Sequence, residues 1–472
     1  MIKPLAGALC AAMFTTSALA QAPLRPDQQA FRELYREMVE TDTSITTGSC
    51  TALADKIEVR LKAGGFAAEA ITRFAVPDHP KEGGLVVVLP GTSKTLKPIL
   101  LLGHLDVVVA KREDWTRDPY TLIEENGYFY GRGTADMKAM DAIWTDMLIR
   151  FKQTGYKPKR TLKLALTCGE ETTWAFNGAK WLAENRRDLI DAEFALNEGG
   201  SGRSDGKGKV LSLGLHVGEK AVANFRIEAT NPGGHSSTPI RDNAIYELAD
   251  ALVKLRDYDF PLMLNDTTRA FFAKLGPARQ DAIGKAMTAI VSAPAGSAEA
   301  AAAETVLNTD RLYHSMLRTT CVATLLEGGH ANNALPQRAA VNVNCRIFPG
   351  VPAATVKAAL EKVIADPKLT VTAVDARTIA QPPALTPQIL GPAEKLVAKY
   401  YPGVPLVPLM STGGTDGVYL EAVGIPSYGP PALYGDPDGN GVHGLNERVS
   451  ANAVYKGRDL LTDLVRAYAG QP

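Results

Sequence analysis

Four short apolar runs, at residues 85–89, 99–102, 162–167 and 194–196, are separated by helical patterns at 138–151 and 178–185. Runs this short and this continuously apolar suit strands buried on both faces, and their alternation with helices predicts an α/β sheet covered by helices. A further helix is expected near the start, at 26–40. From about residue 221 the rhythm changes to strand 221–229, helix 243–255, strands 319–326 and 338–347, helix 353–364 and strand 369–374. That order, βαββαβ, is the ferredoxin-like split pattern. An insert at 257–317, with an Ala-rich stretch at 294–304, separates its first helix from its second strand and carries no chemical motif. After residue 375 helices at 389–400 and 452–468 restore the α/β character. The expected division is 21–217 and 375–472 for one larger domain and 218–374 for a smaller domain inserted into it.

A chain of 472 residues with 45% hydrophobic and 22% charged residues has room for two or three such units. Its 51 basic and 51 acidic residues cancel, so no global field recommends nucleic acid or an anionic membrane as a partner. Residues 1–20 depart from this average: Lys3, an apolar run over 5–14 and Ser17-Ala18-Leu19-Ala20 read as a signal peptide cut after Ala20, the alternative being an N-terminal core helix. A soluble product, periplasmic or secreted, is expected, with no membrane anchor, because no later stretch approaches the roughly 18 apolar residues of a span. The four cysteines after this leader, Cys50, Cys168, Cys321 and Cys345, are too few for a disulfide scaffold; buried free thiols are favoured over pairing, with a Cys321–Cys345 pair left open.

Three of the four apolar runs end in residues able to carry chemistry. Residues 99–102 lead into Gly103-His104-Leu105-Asp106, which suits a metal-binding His with a carboxylate able to orient its ring, or a plain surface His. Asp136, in Gly131-Arg132-Gly133-Thr134-Ala135-Asp136, precedes a helix that it could cap, unless it reaches a metal. Residues 162–167 end in Gly169-Glu170-Glu171, adjacent acids that repel and want a cation, a shared proton or solvent. Residues 194–196 end in Asn197-Glu198. Ligands of open α/β sheets bind at the carboxyl ends of the strands, so these acids and His104 converge on one edge. A late Gly-rich loop, residues 436–447, adds His443.

In this order the motifs GHLDVV, GRGTADMK, GEE and VHGLNE resemble the dinuclear zinc peptidases that include aminoacylase, succinyl-diaminopimelate desuccinylase and glutamate carboxypeptidase. Arg318-Thr319-Thr320, Asn333-Ala334-Leu335-Pro336 and Arg346-Ile347-Phe348-Pro349-Gly350 look closest to the branch of Gly-X carboxypeptidase and secreted N-acyl amino acid hydrolases. The resemblance implies a catalytic domain with a mixed sheet, interrupted by a ferredoxin-like lid and dimerisation domain. It implies two Zn²⁺, with Co²⁺ or Mn²⁺ as substitutes: His104 and Glu198 on one, Glu171 and His443 on the other, and Asp136 bridging. Asp106 would orient His104 and Glu170 would be the general base. Many relatives carry Asp where this chain has Glu198. Two zinc ions, three carboxylates and one hydroxide make a neutral cluster, in keeping with a catalytic site.

In the smaller domain, Gly234-His235-Ser236-Ser237 reads alone as a turn, but the resemblance makes His235 an oxyanion-stabilising group, often reaching across a dimer. Asn333 and Arg346 match substrate-binding positions, and the planar cationic fork of Arg suits a substrate carboxylate. Ser411-Thr412-Gly413-Gly414-Thr415-Asp416-Gly417 resembles a substrate loop, with Gly414 at its centre and no recognisable helix after it. The implied activity is exo-hydrolysis of a peptide or N-acyl amino acid next to a free carboxylate by a homodimer joined through the lid. A binding protein without catalysis is the contrasting class.

Overall fold

Every residue of the strand Ile99–His104 is buried, because helices cover both faces of its sheet. Leu101, with Leu85, Val87, Leu164 and Leu166, shares a core with Ile143, Trp144 and Met147 of the helix Lys138–Gln153. Leu100, Leu102 and Ala165 point the other way and share a second core with Leu182 and Ala183 of the helix Gly178–Asn185. This two-sided burial is what makes the strands read as unbroken apolar runs. The computed structural model describes residues 23–172, 176–376 and 382–470; the expected leader, residues 1–20, lies outside them.

Among the described residues the sheet has ten strands in mixed orientation. At its centre Ile99–His104 runs parallel to Leu162–Thr167 on one side and Phe194–Leu196 on the other. Register pairs His104 with Thr167 and Leu101 with Leu196, so the segments after all three strands emerge on one edge at similar height. A four-stranded antiparallel sheet forms separately, in the order Thr320–Gly328, Arg338–Ile347, Ala221–Thr230, Leu369–Ala376. Alternate residues of Ala221–Thr230 are buried, with Phe225 and Ile227 in one core with Leu248, Leu360 and Ile364 of the helices Ala244–Arg256 and Ala353–Ile364. This is the expected βαββαβ unit. Asn243 caps the first of these helices, accepting from the Ile245 N–H.

The insert folds as four helices, Asp266–Leu275, Ala282–Ser292, Ala298–Leu307 and Arg311–Met316. Phe271, Phe272, Met287 and Tyr313 form its core together with Val407 and Met410 of the strand Leu406–Ser411, which belongs to the large sheet. The Ala-rich stretch is therefore a packing element. No helix among the described residues is long and apolar enough to cross a membrane.

The expectation of free thiols is overturned. Cys50 is disulfide-bonded to Cys168, and Cys321 to Cys345. The first pair lies 118 residues apart in sequence, with Cα atoms 6.1 Å apart. Cys321 and Cys345 sit opposite each other on adjacent antiparallel strands. Strand register sets the second pairing, and the first joins the start of the helix Cys50–Ala63 to the residue after the strand Leu162–Thr167; cysteine counting is blind to both.

Candidate metal centre

Parallel strands set the positions and loops supply the angles. His104 ends its strand with its ring buried, and Nε2 lies 3.2 Å from Asp136 Oδ1 and 3.7 Å from Glu198 Oε1. His443 faces the other oxygen of Asp136, its Nε2 3.0 Å from Asp136 Oδ2 and 3.0 Å from Glu171 Oε2. The two oxygens of Asp136 thus face two different imidazoles. Glu170 stands beside them: among its carboxylate, a His104 ring nitrogen and Glu198, one donor atom from each lies within 4.8 Å of the others. The five expected ligands and the expected base are brought together.

Asp136 does not cap the following helix. Met137 occupies the cap position without a side-chain bond, and the Asp136 carboxylate turns to the histidines instead. Asp106 also differs from the expectation. The His104 Nδ1 faces the main-chain carbonyl of Asp106 at 3.0 Å, while the carboxylate is 3.7 Å away. That carboxylate accepts the N–H groups of Glu171 at 3.0 Å and Glu170 at 3.4 Å. Asp106 therefore holds the ring by its backbone and the acidic turn by its side chain.

Burial pushes the Glu170 carboxyl up to about 9, with Asp416 and Glu171 adding repulsion against the attraction of His104. Burial likewise raises Glu198 well above the carboxylate range. Burial also opposes a charge on Asp136, yet hydrogen bonds from both histidines hold it well below that range. Those to Asp136 and Glu171 raise His443 to about 10. Protons here fill a demand for positive charge that divalent cations would meet. Two imidazoles and three carboxylates around a shared Asp are donors that zinc and similar ions accept, so the residues fit a pair of metal ions. A third candidate group, Cys50, Asp106 and Cys168, has both sulfurs committed to the disulfide.

Two residues to which the sequence motifs assign no role hold the centre together. The carboxylate of Glu447 is fully buried and accepts the N–H groups of Gly133, Ala135 and Asp136 at 2.8 to 3.0 Å. It also pairs with the buried Arg132, whose other nitrogen donates to the Gly444 carbonyl. This clamp joins the Asp136 loop to the His443 loop, where Asn440, His443 and Asn446 all have positive φ. The signal for Glu447 in the sequence is its place inside the VHGLNE motif.

The remaining expected residues sit elsewhere. His235 and Asn333 flank a small antiparallel pairing, with the Ser236 N–H donating to the Asn333 carbonyl and the His235 side chain exposed. Arg346 lies on the four-stranded sheet opposite Thr320 and Val222. The Gly414 loop is held by Glu219, which accepts the N–H and hydroxyl of Thr415 at 2.9 and 2.8 Å. A helix, Gly417–Ala422, does follow that loop; at six residues it is too short to show as periodicity. A cavity of about 730 Å³ opens beside Asp136 and Glu198, walled by Met140, Leu211, Leu433, Tyr434 and Val449.

A model of peptidase family M20/M25/M40 matches residues 100–467. The human N-fatty-acyl-amino acid synthase/hydrolase PM20D1 is 25% identical over 457 residues, covering 94% of this chain and 88% of that protein. The M20 family metallo-carboxypeptidase Sso-CP2 from Sulfolobus solfataricus shares the fold with a TM-score of 0.68 at 17% identity, covering 94% of this chain and 100% of its own. The Bacillus subtilis YXEP protein, a dinuclear metal binding peptidase, has a TM-score of 0.57 at 13% identity over 93% and 98% of the two chains. Since the family match spans most of its length and the fold agrees, this chain is an enzyme of peptidase family M20/M25/M40.

Proposed function

We propose that the protein is an exported exo-metallohydrolase of the carboxypeptidase type, cleaving the peptide or amide bond next to a free carboxylate. One observation carries this reading: Asp136 presents one oxygen to His104 and the other to His443, with Glu170 alongside. His104 and Glu198 would hold one zinc ion, Glu171 and His443 the other, and Asp136 both. When bound, such ions polarise the scissile carbonyl and lower the pKa of water. Glu170 takes the proton of the attacking water and passes it to the leaving amine. Arg346 and Asn333 receive the substrate carboxylate, the Gly414 loop offers backbone donors, and His235 stabilises the oxyanion.

The division into a catalytic domain, 21–217 with 375–472, and a lid, 218–374, is part of the same reading. His235, Asn333 and Arg346 belong to the lid, so closure brings them to the bond. The lid's edge strand Thr320–Gly328 exposes Val322, Leu325 and Leu326 at 61 to 68%, which supports a homodimer through that domain. Export rests on the leader-like residues 1–20 and is supported by the two disulfides, which persist in oxidising compartments.

A second reading, N-acyl amino acid hydrolysis on the same site, is favoured by the largely apolar cavity beside Asp136 and Glu198. A panel of C-terminally free and amidated dipeptides and N-acyl amino acids, assayed with zinc or cobalt, separates the two readings. Preference for dipeptides supports the first reading and preference for large acyl groups the second. Equal turnover of free and amidated substrates overturns the carboxylate requirement. Ligand binding without turnover, unchanged in Glu170→Ala, overturns both.

A further inference from the structure

The turn that carries Glu170 and Glu171 is held at three points. At the first, the Asp106 carboxylate accepts both of their N–H groups. On one flank Asn177 donates to the Gly169 carbonyl and to Asp416, and the Gly178 N–H donates to the Cys168 carbonyl at 2.7 Å. The third point is the disulfide, whose sulfurs lie within 4.8 Å of the Asp106 carboxylate. Cys168 directly precedes Gly169, where φ is +98° and a Cβ would run into the Phe176 carbonyl, so no side chain fits. Its partner Cys50 opens the helix Cys50–Ala63, which Ser49 caps through the Ala52 N–H and which is anchored in the main core by Leu53, Ile57 and Leu61. The segment before this helix supports the other half of the site, since Thr43 donates to the Leu105 carbonyl at 2.6 Å. The other disulfide touches none of this: it staples two strands of the lid sheet.

We propose that Cys50 and Cys168 are positioning residues for the catalytic turn: their disulfide sets the placement of the Glu170 carboxylate and of Glu171, so that full activity requires the oxidised pair. This rests on the reading of Glu170 as the proton-transferring group. Oxidation removes two electrons and two protons from the two thiols and delivers them to a disulfide exchange partner, which leaves as a dithiol. A chain held in a reducing compartment therefore keeps a loosened turn, and formation of the bond sets the turn in place. A buried site needs this third support because misplacing a reacting group by about 1 Å costs on the order of 100-fold in rate.

The test compares Cys50→Ser/Cys168→Ser with Cys321→Ser/Cys345→Ser in the full-length, metal-loaded enzyme, well below the melting temperature of each. The expected result is a fall in kcat of about 10- to 100-fold for the first pair with KM little changed, and a change within about twofold for the second. Hydrogen exchange in metal-free protein gives a readout independent of turnover. The amides of Glu170 and Glu171 should lose protection in the first double variant while those of the strand Leu162–Thr167 keep theirs. Mild reduction of the native protein by a phosphine, followed by thiol mapping, should reproduce the loss as Cys50 and Cys168 become free, with recovery on reoxidation. Unchanged kcat and unchanged protection in Cys50→Ser/Cys168→Ser overturn the proposal, as does an equal loss in both double variants. Hydrolysis by the unmodified enzyme is the separate check on the parent reading, and the exchange measurement decides the positioning role whatever its outcome.

Discussion

The edge of the large sheet and the small four-stranded sheet hold the two halves of the proposed chemistry in opposite ways. At the sheet edge His104, Glu171 and Glu198 follow three parallel strands in fixed register, and the Arg132–Glu447 clamp ties in the loops of Asp136 and His443. Charges there are crowded and largely buried, which strengthens every interaction among them. In the small domain His235 is exposed on a two-residue strand and Arg346 lies on a sheet with its own core. The first region is preorganised by the fold of one chain. In the proposed reading the second supplies its groups by domain closure or from a second copy. On that reading, groups that make and break bonds are built into the rigid part and those that recognise are carried on the movable one.

The sharpest test of this contrast is Glu170→Ala, which should lower kcat by about 10²- to 10⁴-fold while two metal ions per chain remain bound, as counted by elemental analysis. Next is Glu447→Ala, which leaves Arg132 buried without its partner and should cost about 3–5 kcal/mol in urea unfolding. It should also weaken metal binding, although Glu447 is not a ligand. Arg346→Ala should cost about 1.5–3 kcal/mol in kcat/KM for substrates with a free carboxylate and almost nothing for their amides. If the amides suffer equally, recognition is not confined to the movable part. A separate effect, on stability alone, concerns Glu421, raised by burial to about 8, with repulsion from Glu219 adding to it. An acid with a raised folded pKa binds its proton more tightly when folded, so stability falls as pH rises from about 4.5 towards 8, by at most about 1.4 kcal/mol per pH unit. Glu421→Gln should flatten that slope.

Much of the rigid region was legible in the sequence, because a strand buried on both faces must be apolar along its length and its polar terminus then stands out. The runs at 99–102 and 162–167 and the acids after them needed no partner to be recognised. The split βαββαβ order was legible for the same reason, since its strands and helices are each defined by local periodicity. The helix Cys50–Ala63 was not legible, because its weakly segregated apolar face offers little periodic signal. The helix after the Gly414 loop is too short to have any.

By itself the sequence determined the fold class, the family and which side chains would meet at the sheet edge, because each of these rests on patterns within a few residues or on motifs kept in order. Only the tertiary structure decided the Cys50–Cys168 and Cys321–Cys345 bonds, the backbone contact of Asp106 with His104, the apolar cavity beside the metal centre, and the clamp of Glu447 on Arg132. Several of these are contacts between residues far apart in the chain, 118 positions for the first disulfide and 315 for the clamp. Such contacts depend on register and on which faces of packed elements meet, and no local pattern of residues encodes that.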